Sequence, residues 1–115
     1  MIKRANEMVT ELKHQMRGGE GTVELTHIFK QDELTGKARL FARITLNQGC
    51  SIGLHEHINE EEIFYIINGK AIVNDNGSIS EVTAGDTVLT GNGASHSIEN
   101  KEAEPLVMVA CILLF

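Results

Sequence analysis

The stretch from residue 49 to residue 69 restricts the fold of this chain more than any other part of its sequence. His55 and His57 lie two positions apart in a run with strand character, and side chains at that spacing point to the same face of a strand. Glu62 follows a short polar turn and begins a second strand, residues 62–67. Antiparallel pairing of these two strands would bring the carboxylate beside both imidazoles. Two imidazoles and a carboxylate at one point are typical ligands of a divalent metal, so the stretch predicts a metal site.

The remainder of the chain, from residue 22 onward, has the pattern of short strands separated by turns. Residues 37–46 alternate cleanly, with apolar side chains on one face, and residues 106–114 form a continuous apolar strand. The pair Asn76-Gly77 is a hairpin signal. Residues 6–13 fit either a short helix or an irregular strand. Many short strands with turns rich in glycine and asparagine predict an all-β barrel or sandwich.

A third imidazole for the metal should come from later in the chain, where His96 is the only histidine. With it, the chain resembles the cupin superfamily at two motifs. The first, G(X)5HXH(X)3,4E(X)6G, is matched in full, and the second, G(X)5PXG(X)2H(X)3N, is matched except that Gly91 stands where proline is usual. The matching positions are Gly49, His55, His57, Glu62 and Gly69, followed by Gly85, Gly93, His96 and Asn100. The resemblance implies a jelly-roll barrel of two antiparallel sheets with a metal inside.

Three consecutive glutamates compete for the role of the carboxylate ligand. Glu62 fits the first motif when the spacing is counted back from Gly69, and it shares a strand face with Phe64. Glu61 is the second choice, because the motif also tolerates three intervening residues. Glu60 is assigned to the turn. The predicted metal ligands are therefore His55, His57, Glu62 and His96.

Length and composition limit the other functions that the chain can have. Its 115 residues are enough for one domain with a single core; we expect a barrel core at about residues 37–114 and a segment 1–36 packed on the barrel or on a dimer partner. A net charge of −6 without a basic cluster argues against nucleic acid as a partner. No run is apolar for the length of a membrane span, and the N-terminus lacks the apolar core of a signal peptide, so we expect a cytoplasmic protein without a membrane partner. Cys50 and Cys111 fit no disulfide or metal pattern, and we expect free thiols.

The apolar pattern also predicts that the outside of the barrel is covered. In residues 62–67 the face opposite Glu62 carries Ile63, Tyr65 and Ile67, and residues 106–114 are apolar on both faces. A barrel strand whose outer face meets water should be polar there. Cover by a second subunit is the simplest explanation, and the resemblance implies the same, so we expect a homodimer. Cover by the N-terminal segment of the same chain is the alternative.

The walls of the predicted site are apolar. Ile52, Phe64 and Ile66 are the expected substrate-contacting residues, together with Arg43 if its strand turns that face inward. Arg39 lies on the same face of this strand as Arg43. It is therefore either a surface charge or, if that face turns inward, a residue that contacts an anionic substrate. His27 is expected to be a structural histidine, with a role facing the substrate as the alternative. Leu54 would add a further apolar wall.

The ligand set and the resemblance together indicate a class of metal and of substrate. Three imidazoles and one carboxylate suit Mn, Fe, Ni, Co or Zn better than Ca or Mg. The chain is similar to small manganese cupins that look like half of an oxalate decarboxylase, which implies manganese first and oxalate or a comparable acid as ligand. Ile52 stands where the decarboxylase carries an arginine, and the acidic lid loop has no counterpart. The prediction is a metal-dependent enzyme, a lyase or oxidoreductase, acting on a small carboxylic acid or sugar-derived compound; the alternative is a non-catalytic sensor of such ligands.

Overall fold

The computed structural model describes residues 1–115 and confirms the predicted all-β jelly roll. Three single turns of 3₁₀ helix, Ala5–Glu7, Met16–Gly18 and Gln31–Glu33, are the only helical elements, and none has the length or apolar composition to cross a membrane. The strands are β1 Val9–His14, β2 Thr22–His27, β3 Ala38–Leu46, β4 Ser51–Glu56, β5 Glu60–Asn68, β6 Lys70–Asp75, β7 Ser78–Thr83, β8 Thr87–Gly91, β9 Ser95–Glu99 and β10 Leu106–Leu114.

The ten strands form two antiparallel sheets that enclose one core. The larger sheet has the order β1-β2-β3-β10-β5-β8, and the smaller has the order β4-β9-β6-β7. Alternate residues of each strand are buried between the sheets, as the period of two requires. On β10, for example, Leu106, Met108 and Ala110 are fully buried and pack in the same cluster as Ile52 and Ile98 of the smaller sheet.

The expected pairing of the two strands that carry His55 and Glu62 is wrong. β4 pairs with β9 in the smaller sheet, whereas β5 pairs with β10 and β8 in the larger one. The connection between them crosses from one sheet to the other, because the backbone of His57 bonds to the loop before β9 rather than to β5: its N–H donates to Ala94 O at 3.1 Å, and its carbonyl accepts from Gly93 N at 2.9 Å. The two sequence motifs are thereby joined at their backbones.

The N-terminal segment packs on the barrel of its own chain. β1 pairs with β2 along its whole length, so the segment whose pattern fitted helix or strand is a strand. The 3₁₀ turn that follows lies directly on β4: a Cβ at Gly53 would stand 2.1 Å from the carbonyl oxygen of Arg17, and one at Gly19 would stand 2.2 Å from that of Ser51. Only glycine permits this approach of two backbones. The N-terminal segment is therefore held to the barrel at two places, by the pairing of β1 with β2 and by the contact of the turn with β4.

Candidate metal centre

The four predicted ligands come from both sheets and converge inside the barrel. His55 on β4 is the register partner of His96 on β9, and His57 directly follows β4. Glu62 reaches them from β5 on the facing sheet. One nitrogen of each histidine and one carboxylate oxygen lie within 4.8 Å of one another. All but His55 are almost completely buried.

The separations between the converging atoms are short. His96 Nε2 lies 3.0 Å from both His57 Nε2 and His55 Nε2. Glu62 Oε1 lies 3.0 Å from His57 Nε2, 3.1 Å from His96 Nε2 and 4.0 Å from His55 Nε2. Three imidazole nitrogens and a carboxylate oxygen aimed at one point fit a divalent transition metal, because the lone pairs of all four can face the same ion.

The second nitrogen of each imidazole has a partner of its own that sets the orientation of the ring. His55 Nδ1 lies 2.7 Å from the carbonyl oxygen of Gly53, and His96 Nδ1 lies 2.8 Å from Thr90 Oγ1. His57 Nδ1 lies 2.9 Å from Glu60 Oε1. Each of these contacts leaves Nε2 directed at the common point, which is the usual arrangement around metal-binding histidines.

Burial and charge at the centre act in opposite directions on its carboxylate. Burial raises the pKa of Glu62, but the three imidazoles around the carboxylate outweigh it and hold the pKa below its ordinary value. The pKa of His57 is raised by its hydrogen bond to Glu62, against the effect of its burial, and a hydrogen bond to Glu60 raises it further. The carboxylate is therefore ionised over the whole neutral range.

A cavity of about 660 Å³ opens onto three of the four candidate ligands, His55, His57 and Glu62. Its other walls come from β1 and the following turn, from β2 and β3, and from Ile52. The size lies in the range of ordinary small-molecule sites.

The predicted substrate contacts are only partly brought together by the fold. Ile52 lines the cavity. Phe64 and Ile66 are buried and outside its lining, and the Phe64 ring stacks on His96 with 4.9 Å between the centroids. Arg43 is exposed on the outer face of β3 and does not reach the cavity. His27 does line the cavity, and its Nε2 bonds to Glu11 on β1.

Arg39 has the same parity as Arg43, and yet its side chain lines the cavity. The cause is a β-bulge: β10 residues Ile112 and Leu113 pair with Leu40 and Ala38, so Arg39 is left without a partner in the ladder. A bulge of this kind re-aims the side chain of the extra residue. The sequence of β3 alone does not predict the bulge, because the bulge arises from the pairing of β3 with β10, at the other end of the chain.

Glu60 is a second residue whose role the sequence did not reveal. It is the first residue of β5 and not part of the turn. Arg39 Nε donates to its Oε2 at 2.6 Å, and Arg39 Nη2 donates to its Oε1 at 2.7 Å. These bonds, more than the contact with His57, lower the pKa of Glu60 to about 2.

Comparison with known proteins agrees with this geometry. The family model described as "Cupin domain" matches residues 42–112. The chain is 44% identical to a protein of Thermotoga maritima named "Oxalate-binding protein", over 99% of this chain and 94% of that one. It is 32% identical to an uncharacterized protein of Methanocaldococcus jannaschii, over 66% of this chain and 61% of that one.

Solved structures show the same relationship. A crystal structure from Thermotoga maritima, described as a predicted oxalate decarboxylase, superposes with a TM-score of 0.94 at 43% identity and covers 100% of both chains. The cupin domain of Schizosaccharomyces pombe Cnp3 shares the fold at a TM-score of 0.74 and 15% identity, over 91% of this chain and 69% of that one. By its two motifs, its barrel and these relationships, the chain belongs to the cupin family.

Proposed function

We propose that this protein binds a divalent transition metal, manganese first, through His55, His57, Glu62 and His96, and that the metal binds a small carboxylic acid. The observation that supports this most directly is the convergence of the four donor atoms within 4.8 Å, beside a cavity that three of the four residues line. The Thermotoga maritima relative named "Oxalate-binding protein" supports oxalate, or an acid of similar chemistry, as the ligand.

The spacing of the donor atoms favours a six-coordinate ion. With bonds of about 2.1 Å, an octahedral ion separates adjacent ligand atoms by about 3.0 Å and opposite ones by about 4.2 Å, whereas a tetrahedral ion separates all of them by about 3.4 Å. Of the six separations among the four donor atoms, four are 3.0 or 3.1 Å, the one from His55 to Glu62 is 4.0 Å, and all are within 4.8 Å. This supports Mn, then Fe or Ni, over Zn, which prefers four tetrahedral ligands in closed sites.

A six-coordinate metal ion with four protein ligands would keep two coordination positions open for a small acid. The bound metal would supply a Lewis acid that holds and polarises carboxylate oxygens. The residues of the chain would contribute the rest: Ile52 and Leu40 keep the cavity wall apolar, and Arg39 faces the cavity. A guanidinium has five N–H groups, and two are used on Glu60, so three are available to an acidic ligand.

Binding is the best-supported activity, and catalysis is the second candidate. A lyase or oxidoreductase acting on an oxalate-like acid is favoured by the 43% identity to a structure described as a predicted oxalate decarboxylase. Ile52 occupies the position at which the decarboxylase carries an arginine, which favours binding without turnover. A sugar-derived ligand is a further alternative within the same site.

The test begins with elemental analysis of the protein purified without chelator, with His96→Ala as the control. About one manganese or iron per chain, absent from the control, supports the metal site. Calorimetric titration of oxalate and 2-oxo acids into metal-loaded protein then tests ligand binding, and carbon dioxide release and oxygen uptake test turnover. A chain that neither carries nor takes up metal would refute the proposal.

We also infer that the protein is a homodimer formed through the outer face of the larger sheet. Tyr65, Ile67 and Leu89 are 51%, 48% and 60% exposed on that face. Leu89 also belongs to an apolar row that crosses four paired strands and consists of Phe41, Cys111, Ile63 and Leu89. A contiguous apolar surface of this kind is typical of an interface between subunits.

The oligomeric state is tested by light scattering after gel filtration. Leu89→Glu combined with Ile63→Glu should give a monomer, because two charges would enter the centre of the interface. Ile79→Glu is the matched control, since Ile79 is 65% exposed on β7 of the other sheet. A wild-type monomer would refute the inference.

A cytoplasmic location, in keeping with the two free cysteines, is part of the same proposal.

A further inference from the structure

The three imidazoles of the centre differ in what holds their outer nitrogen. Gly53 offers a carbonyl oxygen to His55, and Thr90 offers a hydroxyl to His96. Only at His57 is the partner of the outer nitrogen a carboxylate: Nδ1 lies 2.9 Å from Glu60 Oε1. An ionised carboxylate can accept hydrogen bonds but cannot donate them. Glu60 therefore fixes the proton of His57 on Nδ1 and leaves the lone pair of Nε2 free for a metal.

Glu60 is itself held rigidly. The guanidinium of Arg39 contacts both of its oxygens, at 2.6 and 2.7 Å, in the bidentate geometry that fixes the plane of a carboxylate. The side chain of Glu60 is only 12% exposed, so water competes little for these bonds. Arg39 belongs to β3, and Glu60 begins β5, so the pair joins two strands that are separated by β10.

We propose that Glu60, clamped by Arg39, is a positioning residue that orients His57 and strengthens it as a metal ligand. This inference rests on the proposed metal function. A carboxylate hydrogen-bonded to the outer nitrogen of an imidazole fixes the ring and makes the inner nitrogen more basic. His57 is therefore the strongest of the three nitrogen donors, and Arg39 acts on the metal through two intervening residues.

The competing explanation is that Arg39 and Glu60 form a strut between strands that has no effect on the metal. Both explanations predict some loss of stability when the pair is broken. They differ in the affinity of the folded protein for metal and in the hydrogen bond at His57 Nδ1, and these two quantities decide between them.

The experiment compares Glu60→Ala and Glu60→Gln with Glu61→Ala, a change at the neighbouring half-buried glutamate, which lies outside the cluster of four candidate ligands. The dissociation constants for Mn²⁺ and Zn²⁺ are measured by competition with a chelator. The zinc-loaded proteins are diamagnetic, so ¹⁵N NMR of the imidazoles reports the tautomer and hydrogen bonding of His57. Denaturant unfolding of the metal-free proteins reports stability separately.

Glu60→Ala should weaken metal binding about 10–100-fold and shift the His57 Nδ1 signal to that of an imidazole without a carboxylate partner. Glu60→Gln keeps an acceptor without the charge, so its loss of affinity should be smaller. It also serves as the folded variant if the alanine protein does not fold. Glu61→Ala should stay within about twofold of the wild type, since no contact with His57 is lost.

Arg39→Gln should weaken metal binding as well, but less than Glu60→Ala, because Glu60 remains present and loses only its clamp. Arg43→Gln, on the exposed face of the same strand, is its control. Unchanged metal affinity and an unchanged His57 signal in Glu60→Ala would overturn the inference and leave a strut. A wild-type protein that binds no metal would instead refute the proposed function on which the inference rests.

Discussion

Replacing Glu62 with glutamine removes a single negative charge from the candidate centre and leaves the size of the side chain unchanged. Its Oε1 lies 3.0 and 3.1 Å from the nitrogens of His57 and His96, and no other carboxylate is placed in the cluster of four. A neutral amide is a poor substitute as a metal ligand, because the carboxylate of Glu62 is the only negatively charged ligand in the cluster that would balance the charge of the metal ion.

The size of the effect on metal affinity follows from the role of Glu62 as a direct ligand in the proposed site. Residues that only orient a ligand typically cost 10–100-fold in metal affinity when changed, and a direct ligand should cost more. Glu62→Gln should therefore weaken Mn²⁺ binding by about 100-fold or more, which corresponds to at least about 2.7 kcal/mol. The assay is competition with a chelator of known affinity at constant pH and salt.

Glu61→Gln is the matched control, because the same atom change is made one residue away at a side chain that lies outside the cluster. It should bind Mn²⁺ within about twofold of the wild type. Unfolding curves of both metal-free variants show whether the barrel is intact. Equal losses for the two variants, or a larger loss for Glu61→Gln, would refute the assignment of Glu62 as the ligand.

Three further predictions concern the scaffold. Gly53→Ala should destabilise the protein by about 1–3 kcal/mol, because the new Cβ would stand 2.1 Å from the carbonyl oxygen of Arg17, whereas Gly36→Ala, with nothing within 4 Å, should not; denaturant unfolding compares them. Asn100→Ala should cost about 1–3 kcal/mol in the same assay, since a buried amide that makes three backbone hydrogen bonds is lost. Because the pKa of Glu60 is lowered from 4.5 to about 2, its ionised carboxylate stabilises the folded state at pH values above 4.5, and this stabilisation is lost as the pH falls toward 2. Between about pH 5 and pH 2 the melting temperature of the metal-free wild type should therefore drop more than that of metal-free Glu60→Gln.

The sequence was informative wherever the signal is local. Alternation with a period of two predicted a strand at residues 37–46, where β3 is Ala38–Leu46, and the apolar run at residues 106–114 coincides with β10. The four candidate ligands were predicted from the spacing of His55 and His57 on one strand together with the resemblance to the two cupin motifs, which supplied Glu62 and His96. These features need no knowledge of distant contacts.

The sequence failed where the answer depends on distant contacts. Residues 62–67 look the same whether they pair with β4 or with β10, so the sheet to which Glu62 belongs could not be deduced. The inward position of Arg39 arises from a bulge against β10, and the bidentate contact with Glu60 follows from it. β1 is exposed on both faces along most of its length, so it shows no alternation that would distinguish a strand from a helix.

The balance of charge at the cavity favours an acid over a neutral sugar-derived ligand. A divalent ion with one carboxylate and three neutral imidazoles leaves the centre with one positive charge. The other charged residues of the lining are Glu11, Lys13, Arg17 and Arg39; Lys13 is paired with Glu11 and Arg39 with Glu60, so Arg17 adds one further positive charge there. The chain as a whole carries −6, but that charge is spread over a surface whose field is screened within about 8 Å at physiological salt. If the proposed metal site binds an acid, its affinity should therefore fall as ionic strength rises, whereas affinity for a neutral sugar would not.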